Sequence, residues 1–344
     1  MRAEPQRAAV RLRAAAALAA WACGAMAQPQ TYEPLPSIDT LRARVFDARL
    51  VRERSLPDGP NFRAYLVGYS VAGLSLHAFV AVPVTPRPPG GYPVLLANHG
   101  THPNPPRYGF TAAGVDSRPG DYCRAVPALY AAEGFLVVMP DYRGHNVSEG
   151  VEYTAGTLSG AYYAEDVLAL LGAIGDLPEA DAGNVFLWGH SLGGEVGLRV
   201  LLATDRIRAA SLWAPVCGDP WEKTAVYALY GQADVAADDV RLGQAFDRLS
   251  AEIARQPAVV DADAHDPLRH LAALSTPIML QHAVSDPEVG IGCSLRFAAQ
   301  LQRHHKPYTL HRYPVADHFL ASPERETAVA RDVAFFRSRL NPSP

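Results

Sequence analysis

The chain of 344 residues is 49% hydrophobic and 19% charged, enough apolar content for a sizeable core and no sign of wholesale disorder. Its formal charge of −4 excludes the basic footprint of a nucleic-acid or membrane-surface protein. Twelve histidines and four cysteines form no C-x-x-C, H-E-x-x-H or other metal spacing, so the residues imply neither a metal nor a cofactor.

The first segment in chain order reads as targeting rather than fold. Arg2, Arg7, Arg11 and Arg13 precede an apolar run over 14–22, and Ala25-Met26-Ala27 puts small residues before Gln28. That is the layout of a secretory signal cleaved after Ala27, and the run is too short to span a bilayer. The expectation is a secreted or periplasmic protein of residues 28–344, its charge moving from −4 to −7 as four Arg and one Glu leave with residues 1–27. A lipoprotein anchored at Cys23 is the weaker alternative, because Ala20-Trp21-Ala22 lacks the leucine such sites carry three residues back. Cys123, Cys217 and Cys293 then remain, an odd number that allows one disulfide. Cys217 and Cys293, each following a candidate core strand, are the pair to consider, with three buried thiols as the alternative.

Gln28 to Pro60 is mixed and Pro-spotted, and is expected to wrap the surface. From Phe62 to Val84 apolar residues alternate (Tyr65, Val67, Tyr69, Val71), break at Ala72-Gly73 and resume at Leu74, Leu76 and Phe79, as in an antiparallel hairpin. The unbroken run Val94-Leu95-Leu96-Ala97 predicts a strand buried on both faces. A helix around Cys123 to Glu133 follows, then a strand over Phe135 to Met139 and a helix over Ala161 to Leu177. Next come the strand Val185 to Trp188, the helix Glu195 to Ala203 and the strand Ala209 to Ala214. The strand Ile278 to Gln281, a helix near Leu295 to His304, the strand Tyr308 to Tyr313 and a helix over Pro323 to Leu340 complete the series. An antiparallel start followed by β-α alternation implies an α/β fold, a mostly parallel sheet with helices on both faces. In such sheets the ligand crevice lies beyond the carboxyl ends of the strands. Pro215 to His270 breaks the rhythm with helix-like pieces (Trp221 to Tyr230, Val240 to Arg255) and the acidic stretch Asp261 to Asp266. It is expected to be a helical cap inserted into a single domain, with a peripheral decoration as the alternative.

The chemistry concentrates where Val185 to Trp188 runs into Gly189-His190-Ser191-Leu192-Gly193-Gly194. A G-x-S-x-G turn between strand and helix lifts the serine hydroxyl above the sheet, and Gly189 and Gly193 leave room that any Cβ would fill. A serine needs a histidine base oriented by a carboxylate, and on such a sheet the chain order is Ser, acid, His. His318, after the last strand, is the base; His304, His305 and His311 sit in a helix end or in the strand itself. Asp286, one strand earlier, is the favoured acid, with Asp219 as rival, Glu288 third, and Asp317 pointing elsewhere. Asp286 could also cap the helix that follows it. Oxyanion donors are expected at the Leu192 N–H and the Thr101 N–H, the latter in the loop Asn98-His99-Gly100-Thr101-His102. His99 and His102 read as structural imidazoles flanking that turn. The loop from Asp141 to Gly150 reads as scaffold pinned by salt bridges and tight turns, and its Asn146-Val147-Ser148 matches a glycosylation pattern.

On these blocks the chain resembles an α/β-hydrolase of the prolyl-oligopeptidase-like and dienelactone-hydrolase-like branch. The resemblance rests on His99-Gly100, Asp141 to Gly144, Gly189 to Gly194, Thr276 to His282 with Asp286, and Asp317-His318, spread over roughly residues 60–340. It departs at Ala283, where such proteins usually have glycine after the histidine. Peptidases of this branch also carry an N-terminal β-propeller, which the stretch before residue 60 is too short to hold. The resemblance therefore implies an esterase-like serine hydrolase without a cofactor, acting on a small ester or short acyl substrate. The alternatives are an exopeptidase or amidase with the same triad, needing a carboxylate such as Glu195 or the Asp261–Asp266 stretch for a substrate amine, and a non-catalytic binding protein.

Overall fold

A computed structural model describes residues 35–100, 125–154, 159–216 and 262–341. Among the described residues nine strands form one sheet in the order β1-β2-β3-β5-β4-β6-β7-β8-β9. Strands β1 (Val51–Leu56), β2 (Phe62–Val71) and β3 (Leu74–Pro83) are antiparallel, and β3 joins β5 (Leu136–Asp141) antiparallel as well. From there β4 (Tyr92–Asn98), β6 (Ala180–His190), β7 (Ile207–Trp213), β8 (Ile278–Ala283) and β9 (Tyr308–Tyr313) run parallel. The α/β class and the hairpin expected over Phe62 to Val84 are what the chain adopts.

Period-2 alternation in the central strands divides the core into two layers. On β4, Val94 and Leu96 join one apolar cluster while Leu95 and Ala97 join the other; on β6, Val185 and Leu187 face Phe186 and Trp188 across the sheet in the same way. The first layer is closed by α1 (Ile38–Ala43), α3 (Ser159–Gly172), α4 (Leu192–Ala203) and α6 (Gly292–Arg303). The second is closed by α2 (Ala125–Ala131) and α7 (Glu324–Arg337). A short helix α5 (Ala262–His265) and a 3-10 turn (Pro267–Ala273) lead into β8. No described helix is long and apolar enough to cross a membrane.

Three expectations need correction. The stretch expected to wrap the surface holds α1, which buries Ile38 and Leu41 in the core, and the strand β1. Both escape periodicity because α1 buries only Ile38 and Leu41, and β1 is an edge strand exposed along almost its whole length. The helix expected over Ala161 to Leu177 ends at Gly172 and continues as a 3-10 turn, Ile174–Asp176. The helix expected from Glu195 begins at Leu192, directly after the serine. The expected leader at residues 1–27, Thr101, His102, Cys123, Cys217, Asp219 and most of the expected cap lie outside the described residues. Cys293 is buried on α6.

Candidate active site

Ser191 sits between β6 and α4 with φ +57° and ψ −122°, a left-handed conformation that side chains rarely adopt. Its N–H donates to the Trp213 carbonyl at 3.0 Å and its carbonyl accepts from Val216 at 3.1 Å, so the neighbouring strand end holds the turn. Crowding explains the glycines. A Cβ on Gly193 would lie 2.0 Å from the Asn98 carbonyl oxygen, and one on Gly189 2.5 Å from that of Gly193. The helix start is thereby pressed against the end of β4, where the loop of Gly100 begins. Leu192 opens α4, so its N–H has no carbonyl four residues back to bond.

The acid and the base meet. His318 Nδ1 donates to Asp286 Oδ2 at 2.8 Å, joining the turn after β8 to the loop after β9 across 32 residues of sequence. Asp286 Oδ1 accepts from the Glu288 and Val289 amides at 2.8 and 2.9 Å. The carboxylate thus caps its own turn rather than α6, which starts at Gly292 behind Ile291. Burial by itself would raise the Asp286 carboxyl, but hydrogen bonds from His282 and His318 outweigh it and hold the group below the ordinary carboxylate range. His318 Nε2 lies 3.7 Å from Glu288 Oε2, on a side chain 42% exposed, and makes no hydrogen bond to Ser191 Oγ. Glu288, weighed as an acid, therefore stands at the opposite ring nitrogen from Asp286. Asp317 instead accepts from the Phe319 amide at 2.9 Å.

Two buried histidines went unassigned in the sequence. His190 Nε2 donates to the His318 carbonyl at 2.9 Å, and the two rings stand 4.4 Å apart, tying the elbow to the base-bearing loop. Burial holds the His190 imidazole well below its usual range, with His318 lowering it further, so it acts as a neutral donor. His282, at the end of β8, contacts both Val289 O (2.7 Å) and Asp286 Oδ2 (3.4 Å) through Nε2. Each lies inside a motif, at the free position of G-x-S-x-G and four residues before the acid. The legible clue was that a histidine buried at a strand end needs partners.

The loop after β5 is scaffold, though its salt bridges run to α3 rather than within the loop. Arg143 donates to Asp166 through Nε at 2.9 Å and to Glu165 through Nη2 at 2.7 Å, and Arg44 pairs with Glu165 from outside. Asn146 Nδ2 donates to Asp141 Oδ1 at 3.0 Å, so the amide of the glycosylation pattern is engaged in holding the loop. Tyr142 packs on His99 with ring centroids 4.2 Å apart and donates to the His99 carbonyl at 3.2 Å, bracing the loop ahead of Gly100. His99 is fully buried, with Nδ1 2.8 Å from the Gly100 carbonyl. Among the described carboxylates considered for a substrate amine, Glu195 and Asp266 have partners. Glu195 is fully buried and accepts from Arg199 Nε at 2.6 Å, and Asp266 accepts from the Leu268 amide at 2.9 Å.

Residues 122–343 match the prolyl oligopeptidase family. The Bacillus subtilis (strain 168) protein named uncharacterized peptidase YtmA is 22% identical over 294 residues, covering 84% of this chain and 100% of the relative. An acetyl xylan esterase from Paenibacillus sp. R4 superposes with a TM-score of 0.57 at 19% identity, over 91% of this chain and 97% of that one. Porphyromonas gingivalis dipeptidyl peptidase 4 superposes with a TM-score of 0.55 at 20% identity over 87% of this chain. The match covers only 44% of that peptidase, so this chain spans less than half of it. At such identities the superpositions speak for the fold alone. The family match carries more, because it takes in the elbow, the Asp286 turn and the His318 loop together: the chain belongs to the prolyl oligopeptidase family and is a serine hydrolase on the α/β-hydrolase fold.

Proposed function

We propose that this protein cleaves carboxylic esters of small molecules through an acyl-enzyme intermediate. Ser191 attacks the acyl carbon, and His318 takes the hydroxyl proton at Nε2 and returns it to the leaving alcohol. Asp286 keeps the ring in the tautomer that leaves Nε2 free and stabilises the imidazolium. The Leu192 and Thr101 N–H groups bind the oxyanion, and water repeats the cycle to release the acid. The scheme uses no cofactor.

The single observation behind this reading is the 2.8 Å contact of His318 Nδ1 with Asp286, beside a serine in a left-handed elbow. A hydrogen bond from serine to base commonly tightens only when substrate binds. Here a turn of the imidazole from Glu288 toward Ser191 completes the relay. Ester rather than peptide substrates are favoured because Glu195 and Asp266 already have partners, which removes two groups that could hold a substrate amine.

Turnover of p-nitrophenyl acetate tests the scheme. Ser191→Ala is expected to keep the circular dichroism of the native protein and lose about 10⁴-fold or more of kcat. Unchanged turnover would rule out the assignment. An acyl-chain-length series then measures the acyl pocket. Amide turnover equal to ester turnover on aminoacyl anilides would promote the exopeptidase reading. Export is part of the proposal: Edman sequencing of protein from the periplasm or medium is expected to begin at Gln28, and a lipid-modified Cys23 would replace that reading.

A further inference from the structure

We infer that His282 and Ser294 form a positioning pair behind Asp286, which sets how much of the carboxylate's charge His318 feels. The inference rests on the Ser191, His318 and Asp286 scheme proposed above.

His282 and Ser294 are both fully buried. His282 Nε2 lies 2.7 Å from the Val289 carbonyl, and Nδ1 lies 2.7 Å from Ser294 Oγ. A carbonyl can only accept, so Nε2 carries the proton; in the neutral ring Nδ1 accepts, and the Ser294 hydroxyl donates. The Val289 carbonyl thereby fixes the tautomer of His282, and Ser294, at the start of α6, satisfies the Nδ1 that this tautomer leaves as an acceptor. That tautomer aims its N–H between Val289 O and Asp286 Oδ2, the latter at 3.4 Å. Oδ2 is consequently shared by two imidazoles, with His318 Nδ1 at 2.8 Å on its other side. The contacts of His282 run to Asp286, Val289 and Ser294, so it acts through Asp286 rather than on substrate.

A purely structural His282 would hold the 283–291 turn closed and do nothing else. A charge-sharing His282 has a further effect. Removing its N–H hands the whole carboxylate charge to His318, which favours the protonated ring, so the base form is reached only at higher pH. Hydrogen bonding of the Asp286 carboxylate by His282 agrees with this direction. Among the described residues, the other titratable groups in contact with His318 are His190, whose ring is 4.4 Å from that of His318, and Glu288, at 3.7 Å from its Nε2. Both stay in place in the variants below.

The test is the rate of fluorophosphonate labelling against pH, with thermal unfolding of every variant. It is run on the native protein, His282→Phe, His282→Gln and Ser294→Ala. His282→Phe is expected to slow labelling roughly tenfold or more. It is also expected to move the acid limb up by about half a pH unit or more. His282→Gln keeps an amide donor near Nε2 and is expected to restore the native limb. Ser294→Ala removes one oxygen atom and is expected to shift the limb the same way by less, which keeps the test decisive if His282→Phe does not fold. An acid limb unmoved in every folded variant, with rates falling only in step with stability, overturns the inference. A native protein that labels but does not cleave esters overturns the ester reading alone, and one that does not label overturns both.

Discussion

At Ser191 three neighbours do separate jobs that no single one could do. The left-handed backbone raises the hydroxyl, the Trp213 carbonyl ties down the amide behind it, and Gly193 keeps the new helix hard against the end of β4. Asp286 shows the same division of labour. One oxygen organises its turn through two amides while the other faces His318. Asp286→Asn preserves the shape but replaces an acceptor with a donor toward Nδ1, so the wrong tautomer is stabilised. Under the proposed mechanism kcat on p-nitrophenyl acetate is expected to fall about 10⁴-fold. A loss under tenfold would mean that another carboxylate, Glu288 or Asp219, orients the base.

Between elements, buried charges hold helices to one another and to the loops above the sheet. Arg199 on α4 pairs with Glu195 one turn earlier and donates through Nη2 to the His265 carbonyl of α5 at 2.8 Å. The helix that starts at the serine is thus tied to the segment that leads into β8. Arg199→Ala leaves Glu195 charged, buried and without that partner, a change that typically costs about 3–5 kcal/mol. Urea unfolding is expected to show a loss of that size, and a loss below about 1 kcal/mol would show that other groups neutralise Glu195. Arg143 works likewise between β5 and α3, where Asp166 and Glu165 converge on one guanidinium.

Across the whole molecule, Asp332 draws the second layer together. From α7 it accepts from Tyr130 at 2.5 Å, Trp213 at 2.9 Å and Gln281 at 2.6 Å, linking α2, β7 and β8 through one fully buried carboxyl. Burial pushes its pKa up to about 7, and burial of Asp141 pushes that group to about 8. In the unfolded chain an aspartate titrates near 4, so between about pH 4 and 7 the folded protein binds more protons than the unfolded one. Stability is then greatest below that window and falls as pH rises through it. Asp286, with its folded value depressed, acts in the opposite sense, losing its contribution as pH falls below about 4. Asp332→Asn is neutral at every pH, so its melting temperature is expected to gain on that of the native protein between pH 5 and 8. Parallel melting curves across that range would show that Asp332 does not titrate there.

The strand-helix rhythm after residue 92, the elbow at Ser191, and the positions of Asp286 and His318 after successive strands were legible in the sequence. Each depends on local matters: side-chain period, a glycine where a Cβ collides, or a loop at a strand end. What α1 and β1 do was not legible, because an edge strand and a two-contact helix bury too little to leave a pattern. Nor was the pairing of Arg143 with α3, since charge partners 22 and 23 residues apart are chosen by packing. The parallel order of β6, β7, β8 and β9 brings the Asp286 and His318 loops to one rim. Only that arrangement could assign His190 and His282 their partners, because buried polar groups take whatever donors and acceptors the fold brings within reach.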